Sequence, residues 1–218
     1  MVLDIGCGAG FTPVHLLEQI GCRVYAVDKR EAMIARSKKS AEQAGLLDQI
    51  DFRVADAVDL PFENDMFDAI FMESVNAFIG EKETAFREYF RILKKGGILV
   101  VNESTWKKTP PEHVRTYMDT FMDNGDILKA EEWEALFKKV GFRNITVEII
   151  NVNLKGETSS RIKQLGWKRV LSAWGKTVKL YFSNPDYRRF LKTALGSTSG
   201  GIIQYIDYMG YGLYSGKK

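Results

Sequence analysis

Val2, Leu3 and Ile5 open the chain as a short apolar run, and Gly6, Gly8 and Gly10 break it at alternate positions. The run predicts a buried strand and the glycines a turn out of it. Thr12 and Pro13 stand where an N-cap and a first helical residue are expected. Val14, Leu17 and Ile20 then recur at helical spacing up to a stop at Gly21. The alternation continues. CRVYAVD predicts a second strand ending at Asp28, REAMIARSKKSAEQAG a helix, and IDFRVAD a third strand ending at Asp56. LPFENDMFDAIFME gives a turn and a fourth strand ending near Glu73. KETAFREYFRILKK places Ala85, Phe86, Tyr89, Phe90 and Leu93 on one helical face; Gly96 and Gly97 stop it, and ILVVNE is the fifth strand. HVRTYMDTFMD, after Pro110 and Pro111, could make a short helix; EEWEALFKKV is a helix, and RNITVEIINVNL the sixth strand. Strands alternating with helices predict an α/β fold, doubly wound about a mostly parallel sheet.

Strand, glycine loop and helix N-terminus together form a nucleotide-type cradle. Glycine reaches positive φ cheaply and lets a ligand come close to the backbone. Two other readings stand beside this one. The loop could be a tight strand-to-helix turn with no ligand. It could also serve a nicotinamide dinucleotide, although the spacing G-x-G-x-G differs from that fingerprint. Asp28, at the end of the second strand, could accept hydrogen bonds from ribose hydroxyls, or cap the following helix.

The stretches LDIGCGAG, VDKREAM, VADAVDLPFENDMFDAIFMES and RILKKGGILVVNE arrive in order across residues 2–103. In that order and spacing the chain resembles a class I S-adenosylmethionine (SAM) dependent methyltransferase. The pattern is most similar to the branch that includes the ubiquinone and menaquinone biosynthesis methyltransferases. The resemblance implies that the backbone at Gly6, Cys7 and Gly8 passes under the methionine part of SAM and that Asp4 helps hold its ammonium. It implies close packing at Gly10, ribose hydroxyls on Asp28, and adenine flanked by Lys29 and Met33. Asp56 would meet the adenine amino group, the Ala57 N–H a ring nitrogen, and Glu73 and Ser74 would begin the segment under the reactive methyl.

The resembled fold also implies a seven-stranded sheet of order 3-2-1-4-5-7-6, with strand 7 antiparallel. YMGYGLYSG, residues 208–216, is then the seventh strand. Residues 1–155 form a SAM-binding Rossmann-like core, 156–205 a helical lid insertion, and 206–218 the strand returning to the core sheet. A parallel sixth strand ends at the ligand edge and an antiparallel seventh starts there, so the insertion is expected over the substrate. Between Arg161 and Lys192 the insertion carries nine Lys or Arg residues, against Glu157 and Asp186 alone, with aromatics that include Trp167 and Trp174. A solvated basic face, an aromatic wall for an apolar substrate, and contact with an anionic membrane surface are all open, in falling order of preference. Asn76, Phe78, Trp106, Tyr117, Trp167 and Trp174 are the candidate substrate-binding residues.

The chain has 218 residues, a net charge of +3 and two cysteines, Cys7 and Cys22. A charge that small does not argue for nucleic acid, and no module signature for it is visible, so none is expected as a partner. The cysteines offer no metal-ligand spacing, fit a reducing cytoplasm, and disfavour thiol-dependent arsenite methylation. No metal is expected, and no segment approaches the apolar length of a membrane span. Methyl transfer from a sulfonium is an in-line displacement, so alignment and exclusion of water come first. A base is needed only if the accepting atom arrives protonated. Glu73, Glu103 and His113 are the candidates.

Related enzymes precede the first strand with helices that cover the cofactor. Here Met1 directly precedes it. A truncated sequence is the favoured explanation, and replacement of that cover by the long insertion the other. The expected activity is methyl transfer to a small-molecule acceptor of apolar or aromatic character. The alternative is a protein that binds SAM but turns over weakly.

Overall fold

The computed structural model describes residues 1–119, 125–150, 180–185, 188 and 207–218. Every position of β1 (Val2–Ile5) and β2 (Val24–Asp28) is buried, as expected of central strands covered on both faces. β3 (Ile50–Val54) pairs with β2, β4 (Phe67–Glu73) with β1, and β5 (Leu93–Trp106) with β4, all parallel. β6 (Arg143–Ile150) and β7 (Met209–Lys217) complete a seven-stranded sheet of order β3-β2-β1-β4-β5-β7-β6. Lys218 N–H donates to Gly97 O and Lys107 N–H to Tyr208 O. Along β5 the partner number falls as the residue number rises, so β7 runs antiparallel to β5.

The helices are α1 (Phe11–Ile20), α2 (Glu31–Gln43), α3 (Lys82–Ile92), α4 (Glu112–Asp119) and α5 (Ala130–Val140). Alternation along the strands feeds two cores. Leu3, Ile5, Ile70, Met72, Leu99 and Val101 pack with Phe86 and Tyr89 of α3 and with Trp133 and Phe137 of α5. Val2, Val24 and Ala26 pack with Leu16 and Leu17 of α1 and Ile34 and Ala41 of α2.

Local departures from the sequence pattern have local causes. α3 ends at Ile92 and not at the glycines, because Leu93 already pairs with Phe67; the register then shifts before Ala69 meets Ile98. β3 ends at Val54, two residues before Asp56. Gly10 takes the α1 N-cap position in the left-handed region with no side-chain cap, so Thr12 lies inside the helix.

Two compact units divide the chain: residues 1–105, 122–149 and 211–218 in one, 106–121 and 150–210 in the other. The described part of the second unit includes α4 and a helical stretch at 180–183. There the Lys108 ammonium sits 4.4 Å above the Tyr208 ring, and the Arg188 guanidinium donates to the carbonyls of Tyr181 and Phe182. Most of the expected insertion at 156–205 lies outside the described residues.

Candidate functional site

The carboxyl ends of β1, β2 and β4 and the loops that leave them define the site, all within the first unit. Gly6, Gly8 and Gly10 have φ of 75°, 50° and 86°, in the left-handed region. The three differ in what surrounds them. A Cβ on Gly6 would collide with Val75 Cγ2, and one on Gly10 would collide with Ser37 Oγ and meet Ser37 Cα at 2.7 Å. A Cβ on Gly8 would meet only Gly6 O, at 3.9 Å. The outer glycines are therefore needed for packing, while the middle one leaves the loop backbone open to an occupant.

Asp28 fastens this loop to the next strand. Its Oδ2 accepts the Gly8 N–H at 3.0 Å and its Oδ1 the Arg30 N–H at 2.9 Å. The α2 N-cap is Arg30, so Asp28 stands two residues before the cap position. Each oxygen keeps a further lone pair for an incoming hydroxyl. Asp56 accepts from Lys29 Nζ at 3.1 Å and from the Val58 N–H at 3.3 Å. Burial raises its pKa, but those bonds and the Lys29 charge outweigh it and hold the carboxyl below its ordinary value. Ala57 is buried beside it, and Met33 half-buried on α2.

Asp4 is the outlier. It is 2% exposed, and its Oδ2 has no hydrogen-bond partner among the described residues. Burial first, then the carboxylates of Glu73 and Asp28, push its pKa up to about 8. Glu73 is exposed at the end of β4, where Thr12 Oγ1 donates to its Oε2 at 3.2 Å. This bond is what Thr12 does in place of capping α1. Ser74 follows with φ of 55°, a strained angle for a residue with a Cβ. Cys7 is buried, its thiol pushed up to about 12, mainly by burial; it is a packed neutral group.

The other expected residues have different placements. Glu103, 1% exposed, accepts the Ala77 N–H at 3.2 Å and its neighbour's N–H, from Ser104, at 2.9 Å. Burial raises its pKa against the pull of those backbone donors. It latches the loop after β4. Asn76 was expected to face substrate, yet it is fully buried: its Nδ2 donates to Met72 Sδ and its Oδ1 accepts from Tyr89 Oη. Phe78, by contrast, is 54% exposed. Trp106 and His113 belong to the second unit, Trp106 buried and His113 exposed. The Tyr117 side chain, Trp167 and Trp174 lie outside the described residues. Asn102, which the sequence did not single out, also stands at this edge. It pairs with Glu73 across β4 and β5, and its Oδ1 is buried without a hydrogen-bond partner among the described residues. Only the strand register marks it.

An open depression of about 500 Å³ between the start of α3 and α5 does not include the glycine loop. Glu83 there is tied to Lys139 and Arg87.

A family model described as "Methyltransferase domain" matches residues 3–101. Residues 3–101, a little under half of the chain, are thus similar to that family. The strand order and antiparallel seventh strand are those of the Rossmann-like methyltransferase fold. The chain is also similar to an uncharacterized protein of Haemophilus influenzae, 31% identical over 150 residues, and to the sterol 24-C-methyltransferase of Aspergillus fumigatus, 28% identical over 147. Those matches cover 66% and 65% of this chain, and 59% and 39% of the relatives' own lengths. The chain is also similar to the Haemonchus contortus phosphoethanolamine N-methyltransferase 2 structure with phosphomonomethylethanolamine and S-adenosylhomocysteine (SAH). There the TM-score is 0.77 at 25% identity, over all of this chain and 48% of that one.

Proposed function

We propose that this chain is a SAM-dependent methyltransferase acting on a small molecule. The observation that carries the reading is the unpartnered, buried Asp4 carboxyl beneath a loop whose middle glycine is open. A bare strand-to-helix turn has no use for such a carboxyl, whereas a ligand with an ammonium beside a nucleoside does. In this reading the Gly6–Gly8 backbone underlies the methionine part and Asp4 faces its ammonium. Asp28 takes the ribose hydroxyls; Asp56 and the Ala57 N–H meet adenine, between Lys29 and Met33.

SAM supplies an activated methyl on a sulfonium when bound. The chain's own residues align the acceptor and keep water away. Glu73, exposed and steadied by Thr12, is the better of the candidate bases in this unit. Glu103 is a positioning residue, because both its oxygens already accept backbone N–H groups. The half-exposed Phe78 supports an acceptor with apolar or aromatic character. We keep Trp106, Tyr117, Trp167 and Trp174 as proposed substrate contacts, and His113 as a proposed alternative base. Asn76, with its amide committed to the core, is withdrawn. Likeness in motif to the quinone-biosynthesis branch stays a proposal beside the sterol and phosphoethanolamine enzymes. Among the described residues no helix is long and apolar enough to cross a membrane.

The test is SAH formation from SAM with a panel of quinols, phenols, amines and sterol-like acceptors. Turnover on one acceptor, lost in Asp28→Ala, is the expected result. SAM binding without turnover on any member would favour a binding role.

A further inference from the structure

Asp4 lies one residue before the end of β1, between Ala26 of β2 and Phe71 of β4. Glu73 lies two residues beyond Phe71, so it shares a sheet face with Asp4. The cradle thus gathers three carboxyls, Asp4, Glu73 and Asp28, about the glycine loop. Asp28 is held by two backbone N–H groups and Glu73 by a hydroxyl and solvent. Asp4 Oδ2 has neither. The groups acting on Asp4 are Glu73 and Asp28, both anionic, and the adjacent Cys7 thiol is neutral. The one cation recorded at these carboxyls is the exposed Arg30 guanidinium, 3.9 Å from Asp28 Oδ1; a third negative charge buried at Asp4 without a hydrogen-bond partner among the described residues is the arrangement a protein avoids by keeping one carboxyl protonated.

We propose that Asp4 is the proton-exchanging group of the cradle: protonated in the free chain, it releases its proton to solvent when a ligand's ammonium seats beside it. This rests on the proposed adenosylmethionine seat. The exchange balances: Asp4–COOH and the ligand's –NH3⁺ become a carboxylate–ammonium pair, and one H⁺ goes to buffer. Burial, which disfavours the lone anion, then strengthens the pair. Cofactor affinity therefore rises with pH while Asp4 is protonated in the free chain, without help from a histidine. The upward-shifted pKa of Asp4, about 8, agrees with this placement.

Calorimetry with SAH near neutral pH, in buffers of low and high ionisation enthalpy, reads the protons directly. About one proton released per SAH bound is expected. 5′-Methylthioadenosine, which has the nucleoside but no ammonium, should bind with none released. Asp4→Asn should bind SAH more weakly and release none. SAH binding with no proton release by the wild-type chain would overturn the inference and leave the seat standing. Equal release by Asp4→Asn, or with 5′-methylthioadenosine, would overturn it too, by placing the proton elsewhere. Failure of SAH to bind at all would overturn both the seat and the inference. The comparison of the two ligands on the wild-type chain does not depend on the variant folding.

Discussion

Asp4 shows how one side chain can cost stability so that a site exists. Its pKa in the folded chain is raised to about 8 from an ordinary 3.8. Between those values the folded state binds more protons than the unfolded state, so stability falls as pH rises, at up to roughly 1.4 kcal/mol per pH unit. Asp4→Asn should therefore raise the melting temperature of the ligand-free protein at pH 8 and leave it nearly unchanged near pH 4. A thermal scan across pH checks this; an equal gain at both ends would refute it. The glycines divide in the same manner. Gly10→Ala meets Ser37 Cα as well as its hydroxyl, a backbone collision that should cost about 1–3 kcal/mol of stability. Gly8→Ala has open space around it, so its loss should be smaller, roughly the left-handed penalty of 1–2 kcal/mol. Its larger effect should fall on SAH affinity. Denaturant melts of both variants, with SAH titrations, separate the two roles.

Single buried or charged side chains hold the connections between elements. Between β3 and β4 the chain runs without a helix, and Arg91 on α3 holds it there. Its guanidinium donates to the carbonyls of Leu60 and Phe62, to the Asn64 amide oxygen and to Glu88. Glu88 in turn accepts the Leu60 N–H, and the Arg91 bond holds its carboxyl below its ordinary pKa. Arg91→Ala should cost about 1–3 kcal/mol and raise hydrogen exchange chiefly over residues 59–66. A change spread evenly over the sheet would contradict a local latch. Glu103→Ala should likewise free the Ala77 N–H to exchange. None of this was legible beforehand. Strands, helices and the glycine loop follow from periodicity and punctuation, which are local. The Arg91 latch joins residues about thirty apart in sequence, and Thr12 to Glu73 about sixty. Asn76 misled for a related reason. It follows β4 at the ligand edge, but the turn at Asn76–Phe78 swings its amide to Tyr89 and leaves Phe78 outside.

At the scale of the molecule, the α/β class was legible because strands alternate with helices, whereas the sheet order with its antiparallel seventh strand was legible only through the resemblance to a known fold. The glycine loop and the carboxylates proposed as the cradle were legible as a pattern because they stand at or just beyond the ends of consecutive strands. The acceptor was not, since substrate residues are spread over loops whose side chains no periodicity aligns. The described residues build a seven-stranded sheet, and the edge proposed for the cofactor lies in one compact unit. All three scales depend on that edge holding adenosylmethionine. Titration of SAM and SAH into the wild-type chain and Asp28→Ala tests this most directly. Both ligands should bind the wild type, and the variant should lose at least about tenfold in affinity, the cost of charge-assisted hydrogen bonds. No binding of either ligand to well-folded wild-type protein, or unchanged affinity in the variant, would contradict the account.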